Sequence, residues 1–509
     1  MQHRWQFSVL RWLFLYAVMF SLVGGSLFAQ NTNNRNQNNT NRNQSNTNRN
    51  QTGTGTSGTG TTGTGSGNNS GVGNTDDIGT ANSNRGGVLV NAGGVLSRSS
   101  VFDVGQLSQR QRDAAIRSYS VSGDTSTPST MRCISLNRLE KAIADAKGWV
   151  TDEQAFLAGI QRITHVFYFP ESKDIVIAGP AEGWFPGPDG IMVGRQSLQP
   201  VCELQDLVLA LRTYAPGKEV AEAIGCSIDP TKEGSARLAR FQRLFSGSDR
   251  QAFVRGVRES IGMQTIQVHG IPATTHAAHM MVAADYRMKR IGLGLDNKPV
   301  PQLRTFIDHT VPNTPDAAFR WFFVPDYESV VLTEDRTGMA LIGDGVKLVA
   351  ENEIVSSAGE RMVVSGELDP GSAAYTRSFT QLFPEIAERA PVFAQLRNWI
   401  DMLVCAAHIQ REDFYGKSGW SMEFFACEEK YSLEVFTAPQ EVEPLVGQRE
   451  VRERRAVLTL APVGGGIVID AEQALDVDNA KSDKDKKVTT SQQKIALHLP
   501  KGAWWWDVQ

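Results

Sequence analysis

The sequence predicts an α+β protein: two related modules of helices plus a β-hairpin, with antiparallel strands, an intervening helical segment and a disordered N-terminal stalk. Three observations lead to this prediction. Apolar residues are almost absent from residues 30–97, the apolar period changes from helical to alternating within residues 131–178, and the pattern HVFYFPESKDIVIAG recurs later as RWFFVPDYESVVLTE.

The first 29 residues follow the order of a secretory signal peptide. Arg4 and Arg11 precede an apolar run that ends in small residues, which is the arrangement that a signal peptidase needs. We therefore predict that residues 1–29 are a cleaved signal peptide, that the protein is exported to the periplasm, cell envelope or medium, and that no transmembrane helix remains. Retention as a membrane anchor is the alternative, because residues 12–29 approach the ~18 apolar residues that begin to span a bilayer.

Residues 30–97 consist almost entirely of Asn, Thr, Arg, Gln, Gly and Ser. This composition cannot bury enough apolar surface to offset the entropy of an ordered chain, so it predicts a disordered linker. Gly58, Gly60 and Gly63 have the spacing of a dinucleotide-binding loop, but no predicted strand precedes them and no predicted helix follows, so we assign them no ligand. Residues 98–130 are interpreted as a connecting segment.

The hairpin pattern occurs twice in one register. Aligned without a gap, segments 165–195 and 320–350 share six identical residues, and Pro170 falls on Pro325. Because the register holds across both turns, we infer an internal duplication and expect the two segments to superpose as a hairpin plus a further strand. Recurrence of Pro and Gly at unrelated turns is the alternative.

The remaining boundaries follow from changes in pattern along the chain. The folded region divides into a first α/β module (131–240), a His-bearing helical segment (241–300), a second α/β module with a helical insertion (301–475), and a charged linker with a Trp-rich tail (476–509). Pro384 and Pro391 interrupt the helical insertion. In the first module, Thr151 and Gln154, and likewise Asn137 and Glu140, are spaced as capping pairs at helix N-termini.

Composition excludes several classes of function. The net charge is −4 with acidic and basic residues mixed along the chain, which does not fit a nucleic-acid-binding surface. The five cysteines form no C-x-x-C pair, so two disulfides with one free thiol, and buried thiols throughout, both remain open. No cofactor is predicted: YGKSGW (415–420) resembles the end of a phosphate-binding loop, but Arg411 occupies the position of its first glycine.

Three of the eight histidines lie within eleven positions. His276 and His279 fall on one face of a predicted helix that starts after Thr274 or Thr275. The apolar stripe of this helix comprises Ala277, Met281, Ala284, Met288 and Ile291. Arg287 and Arg290 continue the histidine face, and a cationic face disfavours a divalent metal. We predict two exposed histidines and no bound metal; a site that combines them with His269 is the alternative.

The loop GPAEGWFPGPDG (179–190) carries Glu182, Trp184 and Asp189. An aromatic ring beside two carboxylates suits a carbohydrate, because the ring stacks on a sugar face while the acids accept hydrogen bonds or transfer protons. Glu182 and Asp189 are thus candidate catalytic residues and Trp184 is a candidate ligand contact. The alternative is a long turn whose Trp packs back onto the sheet.

Three adjacent indoles, Trp504, Trp505 and Trp506, form the second aromatic feature. They cannot all face one side of a strand. We expect this segment to dock onto the folded domain. Binding of a polysaccharide or a membrane interface by these side chains is the alternative.

Four runs, MRCISLNRLEKAIADA, VAADYRMKRIGLGL, PVFAQLRNWIDMLVCAAHI and YGKSGW, resemble those of an exported planctomycete family known as domain of unknown function 1598. The resemblance covers residues 131–475. It implies an exported protein, and it implies no mechanism because the family has no assigned catalytic residues.

These patterns favour an exported, non-enzymatic binding or structural protein of the cell envelope, with a polysaccharide or protein of the envelope as its partner. Two other functions remain open. One is an envelope hydrolase that acts on carbohydrate through Glu182 and Asp189 near Trp184. The other is a metal-dependent enzyme that uses the three clustered histidines.

Overall fold

The computed structural model describes residues 86–99, 107–119, 123–219, 223–246, 249–310, 317–355, 361–363, 368–451, 456–460, 464–476 and 479–508. The predicted signal peptide and the predicted linker up to residue 85 lie outside these ranges. Helices and several sheets occur along the described chain, which confirms the α+β class. Among the described residues, no helix has both the length and the apolar character needed to cross a membrane.

The larger sheet has nine strands within the described ranges. In order across the sheet they are β1 (Val88–Val90), β2 (Val95–Arg98), β15 (Glu441–Val442), β9 (Gln264–His269), β8 (Ile224–Pro230), β18 (Gly464–Ile469), β10 (Ala317–Asp326), β13 (Gly345–Val355) and β14 (Arg361–Val363). Neighbours are antiparallel except for β2 with β15 and β10 with β18.

The second sheet joins seven strands of the described chain. Their order is β19 (Ala480–Ser482), β11 (Ser329–Leu332), β12 (Gly338–Ile342), β4 (His165–Phe169), β5 (Asp174–Ala181), β3 (Ser129–Ser135) and β20 (Trp505–Asp507). Only β19 and β11 are parallel. Two separate pairs are β6 (Trp184–Pro186) with β7 (Met192–Gly194), and β16 (Gly447–Val451) with β17 (Ala456–Leu460).

Helices connect and cover the strands. The longer ones are α1 (Gln109–Ser118), α2 (Leu136–Asp145), α4 (Leu204–Thr213), α5 (Lys232–Leu244), α6 (Arg250–Ile261), α7 (His276–Gly292), α9 (Pro370–Gln381), α11 (Pro391–Arg411) and α14 (Lys487–Leu497). The shorter ones are α3 (Asp152–Ala155), α8 (Phe306–His309), α10 (Phe383–Arg389), α12 (Phe414–Ser418) and α13 (Ala471–Ala474). Pro391 opens α11, in agreement with the predicted interruption.

Two buried helices occupy the centre. Helix α7 packs on β8, β18 and β10, and α11 packs against α7 and α4. Because α11 also contacts β13 of the larger sheet and β4 of the second sheet, it bridges the two. Both helices are buried around nearly their whole circumference, as expected for helices with neighbours on every side.

The strand order of the two similar segments differs. β4 and β5 form the predicted hairpin, with Pro170 in the turn between them. β10, by contrast, continues through Pro325 and pairs with β13, while β11 pairs with β12 in the other sheet. The prediction that the segments superpose is therefore wrong, and two related modules are not confirmed. Proline is tolerated both in a turn, where Pro170 lies, and in a strand, where Pro325 lies. The equal spacing of the two prolines in the sequence therefore does not require the two segments to pair their strands in the same way.

The end of the predicted disordered linker belongs to the fold, so that prediction is wrong for residues 88–97. These residues form β1 and β2, and β2 pairs with β15. Their buried side chains are Val88, Val90 and Leu96. Arg98 Nη1 also lies 2.6 Å from Asp296 Oδ1, just beyond α7. The aliphatic side chains clustered between Val88 and Leu96 supply the apolar area that the preceding Asn- and Gly-rich stretch lacks.

The segment predicted as a charged linker and tail contributes β19, α14 and β20 to the fold. Val488 and Ile495 of α14 are buried against the second sheet, while most of the charged side chains remain exposed. The described residues from Gly86 onwards belong to one compact unit. Each sheet combines strands from both predicted modules.

Candidate functional site

Glu182 follows β5 and is 4% exposed. Its Oε1 accepts hydrogen bonds from Gln161 Nε2 (2.5 Å), Ser197 N (2.9 Å) and Ser197 Oγ (2.6 Å), and its Oε2 accepts from Gln196 N (3.0 Å). With four donors from the protein, the carboxylate fixes the turn after β7 and has little capacity left for a substrate.

Trp184 and Asp189 are also interior residues of their loop. Trp184 is 1% exposed and packs against Phe156 with ring centroids 5.9 Å apart, so neither face of the indole is open to a sugar in this arrangement. Asp189 is 2% exposed, and its Oδ1 accepts from Ile191 N at 3.3 Å. The loop thus has the geometry of a long turn that folds back on itself.

The predicted exposure of the two helical histidines is wrong. His276 is 3% exposed and His279 is 7% exposed. Thr275 is the N-cap of α7 and the predicted apolar stripe is buried, but the opposite side of the helix is covered too. His276 Nδ1 lies 2.9 Å from Asp206 Oδ2 of α4, and His279 Nε2 donates to the carbonyl of Thr437. A second layer of chain therefore packs against the face of α7 that the helical period predicted to be exposed to solvent.

Neither histidines nor cysteines form a metal centre in the described chain. No group of three or more His, Cys, Asp or Glu side chains among the described residues is placed to hold a metal ion. His269 lies at the end of β9, where burial lowers the pKa of its imidazole. All five cysteines are free thiols, four of them buried.

We predict that His276→Ala lowers the free energy of unfolding by about 2 kcal/mol, because it leaves the buried Asp206 carboxylate without its imidazole partner. Glu203 lies 3.8 Å from the other ring nitrogen, so the two acids would then face each other without a donor between them. Urea denaturation measures the effect. His498→Ala is the matched control, since His498 is exposed, and we expect a change within ~0.5 kcal/mol. Equal stability of the two variants would contradict the role of His276.

The three C-terminal indoles pack on the protein. β20 pairs with β3, and Trp506 is 7% exposed within an apolar cluster of the second sheet. The Trp505 ring covers the guanidinium of Arg132, 4.8 Å from its centroid. Trp504 is partly buried against the core. The three indoles thus dock onto the folded domain, as expected from the sequence.

A partly buried triad of Arg162, Asp401 and Tyr327 links α11 to the segments before β4 and after β10. Arg162 Nε donates to Asp401 Oδ2 (2.7 Å) and Arg162 Nη2 donates to Oδ1 (3.2 Å). The Tyr327 hydroxyl donates to Oδ1 as well, at 2.8 Å. Burial raises the pKa of Tyr327, and Asp401 raises it further, so the phenol stays protonated. Both oxygens of Asp401 are thereby occupied.

Arg397 lies one helical turn before Asp401 on α11 and has far fewer partners. Its Nη2 donates to the neutral Gln199 Oε1 at 3.3 Å, whereas its buried Nε has no acceptor among the described residues. Burial, and then the neighbouring charge of Arg162, lower the pKa of Arg397 to about 10. The guanidinium therefore remains charged at neutral pH. The residue as a whole is partly exposed, although its Nε is buried.

Two acceptors close to Arg397 are also unused. Asn398, the next residue of α11, donates through Nδ2 to Gln161 O (2.8 Å), but its buried Oδ1 has no donor. The negative charge of Asp344 acts on both Arg162 and Arg397, yet no hydrogen bond or ion pair within the described residues involves its carboxylate. We call Arg397, Gln199, Asn398 and Asp344 the Arg397 site.

None of the four residues of this site was predicted from the sequence. A signal for them exists in the run PVFAQLRNWIDMLVCAAHI, where Arg397 and Asp401 stand four positions apart in an otherwise apolar helix. Charges on a helix that is buried all round need specific partners. Gln199 and Asp344 come from distant turns, and no spacing in the sequence connects them to α11.

The geometry defines an α+β protein with a charged, incompletely paired site on the helix that bridges its two sheets. Residues 226–306, from β8 to α8, match the model of a family described as "Protein of unknown function (DUF1598)", which confirms the family resemblance inferred from the sequence over these residues. No curated protein and no solved structure matches the chain significantly. The Arg397 site lies outside the matched residues.

Proposed function

We propose that the protein is an exported, non-enzymatic binding protein of the cell envelope, and that the Arg397 site holds an oxyanion of its ligand. The single observation that carries this proposal is the partly buried guanidinium of Arg397, whose Nε has no acceptor and whose closest partner is a neutral amide. A desolvated cation without an anion is costly, and a carboxylate, phosphate or sulfate offsets that cost with charge-assisted hydrogen bonds.

The neighbouring triad supports the same assignment. Asp401 accepts hydrogen bonds from Arg162 and Tyr327, and within the described chain it accepts none from Arg397, although its charge raises the pKa of Arg397. The triad also holds α11 against the turn that contains Gly343, since Arg162 Nη1 donates to the Gly343 carbonyl at 2.9 Å. Arg397 is therefore presented from a rigid support, which favours selective binding.

The alternative hydrolase and metalloenzyme functions receive less support. Glu182 is buried and accepts four hydrogen bonds from the protein, which leaves it little capacity for a substrate. His276 faces Asp206 and Glu203, and its ring nitrogens are directed at these carboxylates. Binding at Arg397 requires neither group to change its partners.

We predict that Arg397→Met raises the free energy of unfolding by about 1 kcal/mol, because an apolar side chain of similar length removes a desolvated charge without leaving a new one unpaired. Chemical denaturation gives the value. Arg389→Met is the matched control: Arg389 is exposed, and its only hydrogen bond is a 3.4 Å contact to Pro299 O, so we expect a change within ~0.5 kcal/mol.

The binding test uses acetate, phosphate and sulfate, with the thermal midpoint and titration calorimetry as readouts. At least one of these anions should bind wild type and the Arg389→Met control, and none should bind Arg397→Met. The proposal is overturned if no anion binds wild type, or if Arg397→Met destabilises the fold, since the latter would make Arg397 a structural residue.

A further inference from the structure

Asp344 is the acidic counterpart of Arg397 in the site. It lies between Gly343 and Gly345, whose φ values of +93° and +75° are conformations that favour glycine. A Cβ on Gly345 would lie 3.3 Å from Arg162 Nη2 and 3.3 Å from Asp401 Oδ1. The turn is therefore pressed against the triad on both sides of Asp344, which fixes the position of this residue relative to α11.

The charges of the site leave one cation and one anion unpaired. Arg162 and Asp401 neutralise each other through two hydrogen bonds. The negative charge of Asp401 raises the pKa of Arg397, and that of Asp344 raises it to a lesser extent. Within the described chain neither carboxylate forms an ion pair with Arg397 within 4.0 Å, so Arg397 and Asp344 are the cation and the anion of the site that have no hydrogen-bonded counter-ion there. Two opposite charges held apart on rigid supports are complementary to a ligand that carries both charges.

We propose that the ligand of the Arg397 site is zwitterionic, an amino acid or a short peptide, with its carboxylate on Arg397 and its ammonium group on Asp344. This inference rests on the proposed function and specifies its ligand. A plain anion would satisfy Arg397 alone and would place a second negative charge beside Asp344.

Four probes separate the contributions of the two charges. L-Alanine carries both groups, propionate carries only the carboxylate, ethylamine carries only the ammonium, and trialanine carries both groups at the ends of a peptide. Each is titrated calorimetrically into wild type, Arg397→Met, Asp344→Asn and the surface control Asp145→Asn, whose carboxylate pairs only with exposed Lys141.

We expect alanine or trialanine to bind wild type at least about tenfold more tightly than propionate or ethylamine, because each charge-assisted hydrogen bond contributes to affinity. Asp344→Asn should weaken the zwitterion by about tenfold while propionate binds as well as before or better. Arg397→Met should abolish binding of every carboxylate, and Asp145→Asn should match wild type. Preference for alanine over trialanine identifies an amino-acid site, and the reverse identifies a peptide site.

Propionate binding as tight as that of both zwitterions, with no effect of Asp344→Asn, overturns the zwitterion inference and leaves the oxyanion proposal intact. Absence of binding by all four probes also overturns the inference. The acetate, phosphate and sulfate titrations then decide the proposed function separately.

Discussion

Asp507→Ala is expected to lower the free energy of unfolding by about 3 kcal/mol, because it leaves the Arg132 guanidinium buried without its counter-ion. Arg132 is fully buried, and its Nε and Nη2 donate to Asp507 Oδ1 (2.8 Å) and Oδ2 (2.9 Å). Its remaining donors go to the backbone carbonyls of Thr125, Thr127 and Ala158. This loss of stability is at the low end of the range for breaking a buried ion pair, because the Asp507 side chain is 29% exposed. Guanidinium chloride denaturation measures it.

Asp145→Ala provides the control for removal of an aspartate from an ion pair. Asp145 and Lys141 form an exposed pair on α2, with side chains 66% and 74% exposed, so the loss should stay within ~0.5 kcal/mol. Because Asp507 belongs to β20, the variant should also loosen the pairing of β20 with β3, which hydrogen exchange can follow at the amides of Cys133 and Ser135. Comparable stability of Asp507→Ala and Asp145→Ala would refute the role of this ion pair.

Asp285→Ala should have a still larger effect, about 4 kcal/mol, because both members of the Asp285–Lys289 pair are buried. The two side chains on α7 are 0% and 1% exposed, and Lys289 Nζ lies 2.8 Å from Asp285 Oδ2. Lys289 also donates to the carbonyls of Ile228 (3.2 Å) and Gly465 (2.9 Å), so its three protons have three acceptors. Removing Asp285 leaves a buried ammonium beneath the central helix. Urea denaturation at neutral pH gives the value.

Two further variants separate charge from packing. Asp285→Leu combined with Lys289→Met removes both charges at similar volume, and we expect it to recover most of the stability that Asp285→Ala loses. Burial raises the pKa of Asp285 to about 7, against the lowering effect of Lys289. Because this folded-state pKa lies above the unfolded value of ~3.9, protonated Asp285 stabilises the fold fully below about pH 4, and this contribution is lost as the pH rises through about 7. Asp285→Asn should remove that dependence, and an unchanged pH profile would contradict it.

Local features of the sequence located several elements accurately. Thr151 and Gln154 form the predicted capping box of α3, because both partners are three positions apart and need no tertiary contact. At α2 the cap is Ser135, which accepts from Arg138 N, and the predicted Asn137 lies inside the helix. The hairpin of β4 and β5 and the buried stripe of α7 were likewise predictable from apolar period.

The candidate sites were less predictable than the elements that carry them. Trp184 and Glu182 were noticed for their residue types, but chemistry on a loop depends on which side faces solvent, and both are buried. His276 and His279 were placed outside because the helical period identifies the most apolar face and cannot reveal a second buried face. The sequence predicted a helical segment in the region of α11, while the surroundings of Arg397 include Gln199 and Asp344 from other parts of the chain.

The sequence by itself therefore determined the fold class, the positions of helix starts and the hairpin, because capping, period and turn chemistry act over a few residues. The tertiary structure alone decided that β10 and β11 enter different sheets. It also decided that Asp507 pairs with Arg132, which is distant in the sequence, and that Arg397 forms no hydrogen bond to an acid among the described residues. These outcomes depend on long-range strand pairing and on the desolvation of charges between packed layers. Both are properties of the assembled core, and neither leaves a fixed spacing in the sequence.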